Sequence, residues 1–218
     1  MDIRLAESPA EAAEYAGRWM AARILEAIRR SEAANLAFSG GSTAPALLDA
    51  VAGADVPWEQ VSVWQVDERV APDGHTDRNA AQLAALPVAV RVHPMPVTDA
   101  DLDAAAAEYA AGLPKVFDVV HLGVGDDGHT ASWPPGDDVA KSDLLVDLSA
   151  PYEGRVRMTL TPRVVNASRC RLVYVLGSGK AGVMSQWLLG DDSRPIGLVA
   201  RTNTVVVLDA DAASLLPQ

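Results

Sequence analysis

The chain has 218 residues, 49% hydrophobic and 22% charged, and this ordinary globular composition predicts a folded domain with a sizeable core rather than a disordered polypeptide. The formal net charge of −11 repels polyanions, and no concentrated basic stripe offsets it, which argues against a nucleic-acid partner. The sequence has no long apolar span, no apolar leader and only one cysteine, Cys170, so we expect a cytoplasmic protein with no membrane partner, in which Cys170 is a buried core residue.

The first predicted element is a long helix over residues 9–30. Ser8 is a suitable N-cap, Pro9 fits the first turn, and Glu11 is placed to complete a capping box. An alanine-rich stretch, which favours helix, follows these three residues.

Short apolar runs then alternate with helical stretches along the rest of the chain. The runs predict buried strands at 36–38, 61–66, 116–122, 172–176 and 205–208. The helical stretches are 44–51, 79–86, 101–113 and 180–189, with Thr43 and Thr98 as candidate caps. This order predicts a single α/β domain over residues 1–218: an open, mostly parallel, Rossmann-like sheet with helices on both faces. Two further strand-like segments, 144–148 and 155–161, leave open a small antiparallel flap.

Ligands of an open parallel sheet bind beyond the carboxyl ends of its strands, so the loops that follow the apolar runs are the candidate sites. The first such loop contains Gly40, Gly41, Ser42 and Thr43 before a helix. Its backbone N–H groups and the helix N-terminus could hold an anion. The alternative is a tight turn in which Thr43 only caps the helix.

Two other loops carry charged side chains. Asp67, Glu68 and Arg69 follow one strand and place a carboxylate and a guanidinium at the edge of the sheet, although a surface ion pair would explain them as well. Lys180 follows Gly177, Ser178 and Gly179 and could lie beside a bound phosphate, but the spacing is not that of a Walker P-loop.

The most informative loop spans residues 123–132 and has the sequence GVGDDGHTAS. Its glycines and adjacent aspartates contribute little to packing, which favours a functional role. Imidazole exchanges protons near neutral pH, so His129 is a candidate general base, whereas His75, His93 and His121 are interpreted as structural. A metal bound by Asp126, Asp127 and His129 is an alternative, but their spacing matches no zinc or calcium motif, and we predict no metal.

The ordered set SGGST, DER, GVGDDGHTAS, RMTLT and GSGK resembles the 6-phosphogluconolactonase family, within the superfamily that includes glucosamine-6-phosphate deaminase. The resemblance implies hydrolysis of 6-phosphoglucono-1,5-lactone to 6-phosphogluconate in the oxidative pentose phosphate pathway, with no organic cofactor. It implies that His129 activates water and that Asp127 and Gly128 shape its loop. It also implies a phosphate site formed by Gly40, Gly41, Ser42, Thr43 and Lys180.

For three further residues the resemblance implies contact with substrate but leaves the details open. Arg157, in RMTLT, would be another anion contact. Arg69 would bind the sugar or stabilise the oxyanion, and Asp67 would orient water or a sugar hydroxyl.

The sequence departs from the family pattern at two places, and each raises a question. Trp133 and Pro134 follow the histidine loop where the family has S-L-F-P-G, which would alter the pocket wall. Arg78 occupies the position of a family serine, beside Asn79. A deaminase or isomerase remains an alternative, but it needs a glutamate soon after the histidine loop, and no acidic residue precedes Asp137 there. The other alternative is a non-catalytic phosphosugar sensor, and the assembly is expected to be a monomer or a small homo-oligomer.

Overall fold

The structure, a computed structural model, describes residues 1–217. Its strands, numbered in chain order, are β1 (Asp2–Ala6), β2 (Ala34–Phe38), β3 (Val61–Gln65), β4 (Asp67–Arg69), β5 (Arg91–His93), β6 (Val119–Leu122), β7 (Val146–Leu148), β8 (Arg157–Leu160), β9 (Cys170–Val175) and β10 (Thr204–Asp209). The α-helices are α1 (Pro9–Ser31), α2 (Ala44–Ala52), α3 (Leu102–Gly112), α4 (Pro162–Ala167) and α5 (Ala181–Leu188). Short 3₁₀ helices lie at Trp58–Gln60, Asn79–Ala85, Asp138–Lys141, Ser178–Lys180 and Pro195–Leu198.

Seven strands form one fully parallel sheet in the order β1-β10-β9-β6-β2-β3-β5. The central strands are buried because each face of the sheet packs against its own hydrophobic cluster. One cluster includes residues of α1 and α2, and the other includes residues of α3 and α5. The prediction of an open parallel sheet with helices on both faces is therefore confirmed.

The other three strands form a small antiparallel sheet in the order β4-β8-β7. Its two strands β7 and β8 are the predicted flap. Its third strand, β4, is the DER segment that was interpreted only as a loop. Met158, Leu160 and Val146 of the small sheet belong to the same cluster as α3 and α5, so the two sheets share a core.

Local signals predicted α1 well. The Ser8 hydroxyl accepts a hydrogen bond from the Glu11 N–H at 3.2 Å, and Pro9 occupies the first turn. The Glu11 carboxylate accepts from the N–H of Glu7 at 2.8 Å, one residue before the position that a capping box requires. The N-terminus of α1 is thus satisfied by a variant of the predicted cap.

Some local predictions were wrong. Thr43 makes no capping hydrogen bond at α2, and α3 is capped by Asp101, whose side chain accepts from Ala104 N–H at 3.0 Å, rather than by Thr98. Cys170 begins β9 and is half-buried, so it is not the fully buried residue that was expected. Within residues 1–217, no helix has the length and apolar character needed to cross a membrane.

The sheet order creates a switch point between β2 and β6. From β2 the chain continues outward to β3 and β5, whereas from β6 it continues to β9 and β10 on the other side. The loops after β2 and β6 therefore separate, and a crevice opens beyond the carboxyl ends of these strands.

Candidate active site

A cleft of about 280 Å³ occupies this switch point. Most of the side chains that the sequence proposed as functional meet in it, together with several that it did not. The residues lining it include Ser39, Gly40, Gly41, Ser42, Thr43, Asp67, Arg69, Asn79, Gly123, Gly125, His129, Ala131, Glu153, Arg157 and Lys180.

The loop after β2 brings Gly40 and Gly41 into the cleft in front of α2. A Cβ atom on Gly40 would lie 2.2 Å from Asn79 Oδ1, so this close approach requires glycine. The N–H of Gly41 donates to Gln82 Oε1 at 3.2 Å, which anchors the loop but also occupies one of the expected anion donors. The Thr43 side chain makes no cap bond and lines the cleft beside the positive end of the α2 dipole.

The side chains of the DER segment alternate between the two faces of strand β4, as in any strand. Asp67 and Arg69 line the cleft, whereas Glu68 is fully buried on the opposite side. The Glu68 carboxylate accepts hydrogen bonds from Gln65 Nε2 and from three backbone N–H groups, at distances of 2.7 to 2.9 Å. Glu68 therefore fixes the backbone on which the two cleft residues stand.

Arg78 explains one departure from the family pattern. Its side chain is buried away from the cleft and donates to Ala71 O at 2.9 Å and Asp73 Oδ1 at 3.1 Å, with Nε 3.2 Å from Glu68 Oε2. Asn79 does line the cleft, where its Nδ2 donates to Asp67 O at 3.1 Å and its Oδ1 accepts from Arg69 at 2.9 Å.

The second departure, at Trp133 and Pro134, also lies outside the cleft. Trp133 is fully buried and its Nε1 donates to Leu160 O at 2.8 Å, which ties the histidine loop to the small sheet. Of the residues described, neither Trp133 nor Pro134 lines the cleft, so the expected change in its wall is wrong for these two positions.

His129 is held by its own loop. Its Nδ1 lies 2.7 Å from Asp127 Oδ1, and the same oxygen accepts from the backbone N–H of His129 at 3.1 Å. The imidazole packs directly on Gly125, where a Cβ atom would lie 2.1 Å from Nδ1. Gly128 has φ +85 and its carbonyl accepts from Ile196 N–H at 2.9 Å, so it shapes the turn without entering the cleft.

Asp127 supports the ring but does not itself line the cleft. Burial raises the pKa of its carboxyl, but hydrogen bonds from the His129 backbone, the His129 ring and Tyr152 outweigh that effect, and the net pKa is lowered. A carboxylate that stays ionised at Nδ1 is an effective partner for an imidazole that gains a proton during a reaction.

Arg157, on β8, is 3% exposed on its side chain and has its guanidinium in the cleft wall. It bonds to Glu153 Oε2 at 2.5 Å and lies over the ring of Tyr152, with Cζ 4.8 Å from the ring centroid. Glu153 has φ +49 and Ala131, on the opposite loop, has φ +51. Non-glycine residues in this left-handed region are strained, and two of them border the cleft.

Lys180 reaches the cleft from the loop after β9, but its ammonium group forms an ion pair with Asp126. Asp126 was considered only as a metal ligand, and the structure gives it this different partner. Among residues 1–217, no three His, Cys, Asp or Glu side chains cluster as they would around a metal ion.

Asp67 is the most strongly desolvated carboxyl in the cleft wall, with 5% of its surface exposed. Burial raises the pKa of Asp67, and the Ser132 hydroxyl, which donates to Oδ2 at 2.7 Å, offsets only part of this effect together with Arg69 and Arg157. The other histidines make structural contacts: His121 packs between Phe38 and Tyr174, and burial lowers its pKa to about 3.

Sequence reasoning missed Gly125, Ser132, Tyr152 and Glu153 as parts of this site. Gly125 and Ser132 lie inside the GVGDDGHTAS loop and could have been proposed from their spacing to His129. Tyr152 and Glu153 are separated from His129 by more than twenty residues and reach it only because the hairpin between β7 and β8 folds over the cleft.

Comparison with known proteins identifies a family of similar sequences. The family model described as glucosamine-6-phosphate isomerases/6-phosphogluconolactonase matches residues 7–208. A 6-phosphogluconolactonase of Mesorhizobium japonicum is 37% identical over 88% of this chain and 87% of its own length. A 6-phosphogluconolactonase of Streptomyces coelicolor is 31% identical, covering 94% of this chain and 91% of the relative.

A solved structure agrees at the level of fold. The crystal structure of a 6-phosphogluconolactonase from Shewanella baltica has a TM-score of 0.87 and 24% identity, covering 96% of this chain and 98% of its own. With a family model that matches nearly the whole length and relatives above 30% identity, the chain belongs to the glucosamine-6-phosphate isomerase/6-phosphogluconolactonase family of enzymes.

Proposed function

We propose that the chain is a single-domain cytoplasmic lactonase, spanning residues 1–218, that hydrolyses 6-phospho-D-glucono-1,5-lactone to 6-phospho-D-gluconate in the oxidative pentose phosphate pathway. The observation that carries the proposal is the His129–Asp127 pair in a cleft also lined by Arg69, Arg157 and Lys180. Relatives named 6-phosphogluconolactonase support the choice of substrate within the family.

The geometry supports His129 as the general base. With Asp127 Oδ1 at 2.7 Å, Nδ1 carries the hydrogen, and Nε2 is left with the lone pair that accepts a proton. Water gives that proton to Nε2 while its oxygen attacks the lactone carbonyl carbon. Asp127 then stabilises the imidazolium without taking the proton.

The remaining steps follow from balance of bonds and charge. The tetrahedral intermediate collapses, the bond between the carbonyl carbon and the ring oxygen breaks, and the imidazolium returns its proton to that oxygen. Arg69, fixed by Asp77 O and Asn79 Oδ1 at 3.0 and 2.9 Å, is a suitable donor for the oxyanion. Placed donors of this kind are often worth about 3 kcal/mol of barrier. Asp67 is proposed to orient the water or a sugar hydroxyl.

The substrate phosphate is proposed to lie at the other end of the cleft, against Gly40, Gly41, Ser42 and Thr43 at the N-terminus of α2. Lys180 and Arg157 would supply positive charge there. Both cations are paired with carboxylates, Asp126 and Glu153, so a dianionic phosphate has to compete with these partners. This competition favours a phosphorylated substrate over a neutral sugar lactone.

The decisive experiment is hydrolysis of freshly generated 6-phosphogluconolactone by the purified protein, corrected for spontaneous ring opening. His129→Ala should abolish nearly all turnover while 6-phosphogluconate still binds, because the phosphate contacts remain. His75→Ala, a half-exposed histidine that contacts Arg155 outside the cleft, is the matched control and should keep wild-type turnover. Near-wild-type turnover by His129→Ala would remove the base assignment, and ammonia release from glucosamine 6-phosphate by the wild-type protein would favour a deaminase.

A further inference from the structure

We propose that Tyr152 is a positioning residue for the base, acting through Asp127, and that its ring also orients Arg157 on the other side of the cleft. This inference rests on the proposed function and assigns a role to a residue that lies outside the motifs that identified the family.

The Tyr152 hydroxyl completes the coordination of the Asp127 carboxylate. It donates to Asp127 Oδ2 at 2.9 Å, while Oδ1 holds His129 Nδ1 at 2.7 Å. The hydroxyl is also 3.3 Å from Nδ1, and the two rings meet edge to face with centroids 5.3 Å apart. Because both carboxylate oxygens are held, the carboxylate cannot rotate without breaking a bond, and the imidazole keeps one orientation.

The hydroxyl remains a hydrogen-bond donor over the whole pH range of an enzyme assay. Burial, with a further contribution from the neighbouring Asp127 carboxylate, raises the pKa of Tyr152 to about 12. Tyr152 therefore neither gains nor loses charge near neutrality, and its effect on the pair is that of a fixed donor.

The backbone of a tight hairpin fixes where Tyr152 lies. Tyr152 and Arg155 exchange backbone hydrogen bonds of 2.8 and 3.2 Å around Glu153 and Gly154, which have φ +49 and +78. Positive φ at both central residues is the pattern of a type I′ turn, the tightest hairpin connection. Arg155 anchors the far side of the turn to Asp77 Oδ2 at 3.0 Å, so the turn is tied to the loop after β4.

The ring of Tyr152 makes a separate contact, with Arg157. Arg157 lies over it at 4.8 Å, and Glu153 of the same turn holds the Arg157 guanidinium at 2.5 Å. The residue thus contacts the base through its hydroxyl and an anion-binding cation through its ring, and the two effects can be separated by substitution.

Several charged groups face the Asp127–His129 pair or share its cleft. Arg194 donates to the backbone carbonyl of Asp127 at 3.0 Å, and the other groups are Asp67, Arg69, Glu153, Arg157 and the Lys180–Asp126 pair. Of the described residues, the ionisable side chains within hydrogen-bonding distance of the Tyr152 hydroxyl are Asp127 and His129. A change in kcat on removing that hydroxyl alone therefore reports on this pair.

The test compares Tyr152→Phe, Tyr152→Leu and a control, each measured as kcat and KM across pH. Without the hydroxyl, the Asp127 carboxylate can rotate, and the imidazole is no longer held in one orientation. Tyr152→Phe should therefore lower kcat at neutral pH about tenfold, with KM nearly unchanged. Tyr152→Leu should also raise KM, because the Arg157 guanidinium loses the aromatic ring over which it packs.

Tyr15→Phe is the matched control. The Tyr15 hydroxyl is also hydrogen-bonded, in this case as an acceptor from Arg4 Nε at 3.0 Å, and the Arg4 guanidinium lies over the Tyr15 ring. Tyr15 is in α1 and does not line the cleft. Its substitution should change neither constant. A Tyr152→Phe variant with unchanged kcat would overturn the inference.

A second readout does not depend on turnover. Imidazole ¹⁵N NMR of the wild-type protein should show His129 with its hydrogen on Nδ1, and Tyr152→Phe should show a mixture of tautomers. If wild-type protein fails to hydrolyse the lactone, the proposed function fails by itself, and the NMR result decides the positioning inference. An unchanged tautomer would then overturn it.

Discussion

A single methyl group added at Gly125 should separate the His129 imidazole from the Asp127 carboxylate while leaving the fold intact. In Gly125→Ala the new Cβ atom would lie 2.1 Å from His129 Nδ1, 2.2 Å from Cε1 and 2.8 Å from Asp127 Oδ1. The φ of Gly125 is outside the left-handed region, so alanine is acceptable to the backbone. The strain therefore falls on the imidazole, which has to retreat.

The size of the effect follows from that retreat. Ordinary contact begins near 3.4 Å, so the ring has to move by more than about 1 Å, and a displacement of that size can cost about 100-fold in rate. This corresponds to about 2.7 kcal/mol of barrier. Because the His129 side chain is 23% exposed, the ring can move toward solvent, and the thermal midpoint should change by no more than about 3 °C.

The assay is lactone hydrolysis at saturating substrate, with the melting temperature measured on the same preparation. Gly182→Ala is the matched control: Gly182 lies on the exposed side of α5, and a Cβ atom there meets nothing within 4 Å. It should retain full turnover. Full turnover by Gly125→Ala would refute the reasoning, because it would mean that the pair does not need its observed geometry.

Two further variants test the cleft's charged groups. Lys180→Ala should lower kcat/KM for the phosphorylated lactone by about 10- to 100-fold, with little effect on the unphosphorylated lactone. The control is Lys141→Ala, which removes an exposed lysine paired with Asp138 and should change kcat/KM for neither lactone. Equal losses for both lactones in Lys180→Ala would exclude Lys180 from the phosphate site. Asp67→Asn should slow hydrolysis and raise the melting temperature at pH 7 but not at pH 3. Burial raises the pKa of Asp67 above its ordinary value of 3.8. Between pH 3.8 and the raised pKa the folded state therefore binds more protons than the unfolded state, and the free energy of unfolding falls as the pH rises through this interval. A lower melting temperature of Asp67→Asn at pH 7 would contradict this argument.

The sequence predicted the central sheet because its strands are buried on both faces and are mostly apolar. The strands β3, β6, β9 and β10 are of this kind. The edge strands gave no such signal: β1 is exposed at four of its five residues, and β5 has two exposed residues among three. An edge strand forms because its backbone hydrogen-bonds to the neighbouring strand, and this pairing does not require apolar side chains.

The sequence predicted the site residues that directly follow a strand. It could not predict those that reach the site through contacts between segments far apart in the chain. Asp67, Arg69 and His129 follow strands and were proposed for that reason. The ion pair of Lys180 with Asp126 joins residues 54 apart, and no local pattern indicates it. Tyr152 could have been suspected from Glu153-Gly154, a sequence suited to a tight turn between two strand-like segments, but its contact with Asp127 depends on how the hairpin lies over the cleft.

The division of the cleft between two sheets has a consequence for how such an enzyme can change during evolution. The seven-stranded sheet contributes His129 and the loop of Gly40 and Gly41, whereas the small sheet and its hairpin contribute Asp67, Arg69, Glu153 and Arg157. Replacements within this short hairpin can therefore change the groups that line one side of the cleft without disturbing the parallel core. A combinatorial library confined to the hairpin tip, with Tyr152 retained, would be a compact starting point for redirecting the enzyme to other lactones.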